Sequence, residues 1–154
     1  MAIRIPKRLQ EACSRIPDRQ EWVRRLPDVV SELAARWSLT LEDPLENKEI
    51  SIAWVAPAVR GDGARAVLKL GVPHMEALHE IDGLRFWNGN PTAHLLEADD
   101  GFNAMLLERC LPGTHLRDLP EPEQDAVMAD LMPRLWRVPP MPHPFRPLSE
   151  MTAN

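Results

Sequence analysis

Proline decides where this chain can and cannot form regular structure. Its 154 residues include sixteen prolines, and each removes a backbone donor and locks φ, so a stretch dense in them can be neither a helix nor a central strand. Five of them, Pro139, Pro140, Pro142, Pro144 and Pro147, fall within nine positions. That stretch reads as a stiff, extended linker or as a disordered tail. Helices and strands must be sought in the segments before it.

Residues 20–37 space Trp22, Leu26, Val29, Val30, Leu33 and Trp37 by threes and fours, the period of a helix with one apolar face. Pro27 is expected to kink or split that helix. Short β-type runs follow at 37–42, 50–58 and 65–70. Arg60-Gly61-Asp62-Gly63 between the last two is a turn signal, so the pair is a hairpin. Pro73 suits the first turn of a helix over 74–87, which carries Met75, Leu78, Ile81, Leu84 and Trp87. Gly83 weakens it by about 1 kcal/mol relative to Ala, and Asn88-Gly89-Asn90-Pro91 ends it. Strands at 92–98 and 102–109 flank Asp99-Asp100-Gly101 as a second hairpin. A last helix over 120–137 aligns Val127, Leu131 and Leu135, with Met128, Met132 and Trp136 beside them, and Pro133 should bend it. The order predicts an α+β fold, an antiparallel sheet of about five strands with a helix packed on one face and helices flanking it.

Several functions are disfavoured. The net charge is −5 with no basic stripe, whereas nucleic-acid binding requires clustered Lys and Arg. No apolar run approaches the roughly 18 residues of a membrane span, and no apolar segment follows the basic N-terminus as in a secretory signal. Cys13 and Cys110 lie far apart with no metal-like spacing, which suits reduced thiols in a cytoplasm. His74 and His79 are five apart, off the spacing that puts two imidazoles on one helix face, and His94, His115 and His143 are scattered. Ser14, Ser31, Ser38 and Ser51 lie in no G-x-S-x-G elbow. The five tryptophans read as core residues rather than a stacking platform.

Two segments carry chemistry. In Val67-Leu68-Lys69-Leu70, alternation puts Val67 and Lys69 on one face and Leu68 and Leu70 on the other. A lysine on an inner strand is either half exposed or needs an anionic partner. The following helix offers Glu80, with Glu76 one turn earlier. An ammonium held that way is aimed at a further anion, such as a nucleotide phosphate. In Leu106-Leu107-Glu108-Arg109-Cys110-Leu111-Pro112-Gly113, a strand gives way to an extended Pro-Gly segment. That segment is either a plain strand exit or a backbone edge on which a planar base can pair.

Taken in order, these parts resemble the N-lobe of protein-kinase-like enzymes. In detail AVLKL (66–70), HEIDGLRFWNGN (79–90), HLLEADDGFNAMLLERCLPGTHL (94–116) and LPEPEQDAVMADLMPRLWR (119–137) resemble the aminoglycoside/hydroxyurea antibiotic resistance kinases, over most of the chain from Trp37 onward. The resemblance implies ATP with Mg²⁺ as cofactors and a hydroxyl of an aminoglycoside or similar small molecule as acceptor. It implies that Lys69 pairs the α- and β-phosphates and that Glu80 holds Lys69. It places Val67 over the adenine and Leu107 at the back of its pocket, with the Glu108 carbonyl and the Cys110 backbone groups on the base edge. Two departures stand out. The turn Asp43-Pro44-Leu45-Glu46-Asn47-Lys48, where such kinases often carry glycines over the phosphates, has none. Nor does any segment read as H-G-D-x-H-x-x-N or as a later metal-binding Asp, so no residue here receives a catalytic or metal-ligand role.

The expected organisation is a helical segment at 1–36, the lobe's sheet and central helix at 37–116, a connecting helix at 117–137 and a Pro-rich linker at 138–154. Pro144-Phe145-Arg146-Pro147-Leu148 resembles the family there, and the linker is expected to lead toward a catalytic lobe absent from this sequence. A cleft face left bare would be apolar and favour dimerisation or poor solubility. Two other readings remain: a non-catalytic binding or regulatory module that kept the lobe, and a decayed reading frame.

Overall fold

The computed structural model of the chain describes residues 3–46, 52–74 and 77–151. Outside that range fall Asn47 and Lys48 of the glycine-free turn, positions 50–51 of a predicted strand, and Met75 and Glu76 of a predicted helix. The elements run α1 (Lys7–Cys13), α2 (Pro17–Arg36), β1 (Leu39–Leu41), β2 (Ala53–Arg60), β3 (Arg65–Gly71), α3 (Glu80–Trp87), β4 (Leu95–Asp99), β5 (Ala104–Glu108), a 3₁₀ turn (Leu116–Asp118), α4 (Glu121–Leu135) and α5 (Leu148–Met151).

The strands form one antiparallel sheet in the order β1-β2-β3-β5-β4. Both predicted hairpins are present. In the first, the Arg60 amide donates to the Ala64 carbonyl at 2.9 Å and the Ala64 amide to Asp62 Oδ1 at 2.9 Å. In the second, the Phe102 amide donates to Asp99 Oδ1 at 3.0 Å, while Arg85 of α3 grips Asp100 with both guanidinium nitrogens at 2.9 and 2.8 Å. That grip holds the Asp100 carboxyl below its ordinary pKa. A register shift between Leu95 and Glu97 marks an irregularity in β4.

The sheet's two faces differ in what covers them. Ala66, Leu68 and Leu70 of β3 are aligned across the ladder with Trp54, Ala56 and Ala58 of β2 and with Ala104 and Leu106 of β5. All are buried, and most join Leu9 and Cys13 of α1 and Leu26, Val30 and Leu33 of α2 in one core. Trp54 enters this core because its indole N–H finds the Arg4 carbonyl at 3.0 Å, so its one polar atom is satisfied.

The helices depart from their sequence expectations in five ways. The helix predicted over 20–37 is α2 and begins earlier, at Pro17, whose fixed φ suits a first turn. It runs through Pro27 as one element, because burial of Leu26, Val30 and Leu33 outweighs one missing amide bond. α1 is short and lacks a readable apolar period, and it forms by docking Leu9 and Cys13. The helix expected over 74–87 forms only at Glu80, and Asn88 in the left-handed conformation closes it, its amide returning to the Leu84 carbonyl. The predicted apolar line of α4 stays largely uncovered, with no buried residue along the helix. Trp136 is 75% exposed and Val138 92%. Trp136 is thus no core residue, unlike Trp54.

These two environments set opposite costs for truncation. Leu68→Ala should destabilise the fold by about 2–5 kcal/mol, since it empties a fully buried site. Trp136→Ala should stay within about 0.5 kcal/mol. Urea denaturation of the two variants checks the contrast.

Candidate functional site

The face opposite the core belongs to the odd-numbered residues of the central strands. Val67 is paired with Pro57 on one side and Leu107 on the other, and Lys69 with Val55 and Met105. Pro57 and Met105 are buried, whereas Val55, Val67, Lys69 and Leu107 are half-buried. The result is an apolar platform with one ammonium at its edge.

α3 lies at the Lys69 end of this platform. Its first residue, Glu80, meets Lys69 through a direct Nζ–Oε1 ion pair. The two side chains keep 26% and 33% of their surface exposed, so the pair is neither sealed nor free. Ile81 and Gly83 are the helix's buried positions, and Ile81 turns inward while Glu80 reaches the strand. A carboxylate at the start of a helix also sits in the favourable end of the helix dipole. Lys has three donor hydrogens. With one taken by Glu80, the remaining donors can serve an anion from the open side.

The opposite end of the platform is bounded by the exit of β5. The Glu108 amide donates to the His94 carbonyl, and Glu108 Oε1 accepts from the His94 amide, both at 2.9 Å. Glu108 is therefore tied by its amide and its side chain to His94, the residue just before β4. Cys110 is exposed, and among the described residues its N–H and C=O have no backbone partner. The chain then turns through Pro112 to Gly113, which has φ +75°. A Cβ at Gly113 would come within 3.0 Å of the Cys110 carbonyl, so glycine is what lets the exit turn close.

Sequence reading missed one feature of this face. Arg109 Nη1 bonds Glu42 Oε1 at 3.0 Å. The Glu42 amide bonds the Pro57 carbonyl, so alternation from Leu41, which packs on the core, puts Glu42 on the open face. The ion pair thus joins the exit of β5 to the end of β1 across the width of β3 and β2. Sixty-seven positions separate the partners, and no local pattern announces such a contact.

Other features lie elsewhere. A cavity of about 350 Å³ is lined by Trp22, Leu26, Leu70 and Phe102; Leu70 is on the core face, away from Lys69. Among the described residues no group of three or more His, Cys, Asp and Glu side chains could hold a metal ion, and no helix is long and apolar enough to cross a membrane.

This arrangement defines a protein-kinase-like N-lobe: a five-stranded antiparallel sheet with a strand lysine held by a helix glutamate. The family model for aminoglycoside/hydroxyurea antibiotic resistance kinases matches residues 36–154, and the chain belongs to that family. It is 37% identical to a streptomycin 6-kinase of Streptomyces glaucescens over 98% of its own length and 49% of the relative's. It is 36% identical to the Streptomyces griseus streptomycin 6-kinase over the same shares. With a hydroxyurea phosphotransferase of Kitasatospora aureofaciens it shares 38% identity over 88% of this chain and 40% of the relative. The chain thus spans about half the length of the curated relatives it matches or less. No solved structure matches it at the significance these relatives reach.

The two thiols differ in reach. Cys110 is exposed and Cys13 buried, and burial pushes the Cys13 thiol up, with a smaller opposing pull from Arg19. Maleimide should label Cys110 in the folded protein and reach Cys13 only in denaturant, because the thiolate is the reactive form. Mass spectrometry of the labelled peptides reads both sites.

Proposed function

We propose that this chain is the nucleotide-binding lobe of an ATP-dependent phosphotransferase whose acceptor is an alcohol group of an aminoglycoside or a similar small molecule. The observation that carries the reading is the Lys69–Glu80 ion pair at the edge of a half-open apolar platform. The names of the relatives supply the acceptor class: two are streptomycin kinases and one is a hydroxyurea phosphotransferase.

In this reading the adenine lies against Val67, with Leu107 behind it. Its edge pairs with the Glu108 carbonyl and with the backbone groups of Cys110. The triphosphate runs toward Lys69, whose remaining N–H donors meet the α- and β-phosphates while Glu80 fixes the direction of the side chain. Bound ATP supplies the transferable phosphoryl group. Mg²⁺ bound with the nucleotide would neutralise its phosphates. Orientation of the acceptor hydroxyl and acceptance of its proton would be the work of a second, catalytic lobe, for which this sequence offers no candidate residue.

ATP at a hundred times its dissociation constant should stabilise the folded protein by about 2.7 kcal/mol. That raises the melting temperature by roughly 5–10 °C for a chain of this size. Lys69→Ala should remove the shift, and bound ATP should slow maleimide labelling of Cys110. A shift of equal size in Lys69→Ala would sink the assignment.

A further inference from the structure

The helix that carries Glu80 is only eight residues long, too short to hold its own direction in water. Its far end is gripped by one continuous segment of the chain. The indole N–H of Trp87 donates to the Leu135 carbonyl at 3.2 Å. Arg134 donates twice to Asn90 Oδ1, at 3.0 and 2.6 Å. The guanidinium of Arg137 lies 5.1 Å over the ring of Phe86, within cation–π range. Phe145 packs on Phe86 with ring centroids 5.9 Å apart, and His143 stacks on Phe145 at 5.6 Å. Within α3, Phe86 meets Trp87 edge-on at 5.5 Å. Trp87 folds back over Gly83, where a Cβ would stand 3.2 Å from its ring.

Residues 134–145 thus touch the last turn of α3 and the residues just after it. Pro139, Pro140, Pro142 and Pro144 lie in that segment, and each narrows its freedom before docking, which lowers the entropy lost on binding the helix. A helix rises about 1.5 Å per residue, so Phe86 sits about 9 Å along the axis from Glu80. Over that distance a single helix moves as one body. A shift at the gripped end therefore moves the carboxylate that holds Lys69.

We infer that the segment 134–145 is a clamp that sets the position of Glu80, and that Phe145 is a positioning residue for the Lys69–Glu80 pair. The effect on nucleotide affinity rests on the nucleotide reading given above; the effect on Lys69 itself does not. Phe145 is half-buried and lies outside the main core, so its truncation leaves the sheet's packing intact.

The test uses the full chain and two readouts. One is ATP affinity by titration calorimetry for wild type, Phe145→Ala, Phe145→Tyr, Glu80→Gln and the Glu80→Gln/Phe145→Ala double variant. The other is the acylation rate of Lys69 by a small activated ester without nucleotide, followed by peptide mass spectrometry. Phe145→Ala should weaken ATP binding about three- to tenfold, the size of coupling carried through a packed network, and speed Lys69 acylation by a similar factor. Phe145→Tyr keeps the ring and should behave as wild type, and in the Glu80→Gln background Phe145→Ala should add nothing. Wild-type behaviour of Phe145→Ala in both readouts overturns the inference, as does an undiminished effect without Glu80. If ATP binding is absent or indifferent to Lys69→Ala, the nucleotide reading falls, and the acylation rate alone decides for or against the clamp. Should Phe145→Ala unfold without cooperativity, Arg137→Gln, which removes the cation over Phe86, takes its place under the same criteria.

Discussion

A charged amine on the middle strand of a sheet constrains everything around it. β3 lies between β2 and β5, so both its edges are spent on hydrogen bonds. Lys69 can then point only above or below the sheet, and a dry layer on its side would strand the charge. The fold resolves this by asymmetry. One face is sealed by α1 and α2 over Ala66, Leu68 and Leu70. The other is left half-open, with α3 at one end supplying the counter-charge of Glu80. The apolar neighbours of Lys69 on that face, Val67 and Leu107, gain a surface that is greasy, flat and accessible from one side. An ammonium at the margin of such a surface suits a ligand that is planar at one end and anionic at the other.

Much of this was legible in the sequence where local chemistry decides the outcome. The alternation through Val67-Leu68-Lys69-Leu70 predicted which side chains share a face, and Arg60-Gly61-Asp62-Gly63 and Asp99-Asp100-Gly101 marked hairpins whose turns close with their own side chains and amides. The meeting of Lys69 with Glu80, eleven positions apart, could be proposed because one strand and one helix separate them by a short connection. What escaped was decided at long range. α1 exists because Leu9 and Cys13 find a core built by residues far along the chain, and nothing in its seven residues announces it. The local penalty of Pro27 predicts a kink or a split, whereas the burial of three neighbours settles the matter. The apolar line along α4 is present as a pattern, but a pattern does not say whether a partner element is there to cover it.

The family match and the geometry bear on different questions. Membership rests on residues 36–154 as a whole, and it would hold even if Lys69 pointed elsewhere. The placement of Lys69 against Glu80 speaks to what the face can hold and is independent of any relative's name. Apolar side chains are also exposed along α4 and the segment after it, Val127, Met128, Trp136 and Val138 among them.

The Arg109–Glu42 ion pair gives the open face a crossbar. Both partners remain substantially in contact with solvent, so their attraction adds little to stability, and its importance is geometric. It ties the outermost strand to the point where the chain leaves the sheet, limiting how far the ribbon can flatten. It also leaves the two ends of the face with unlike electrical character. At Lys69 the charge is answered within the protein but still has hydrogens to offer. At the crossbar, cation and anion already occupy each other. Dissolved ions largely screen exposed charges more than about 10 Å apart at moderate concentration, so salt dulls the long reach of the ammonium at one end and leaves the 3.0 Å contact at the other mostly in place.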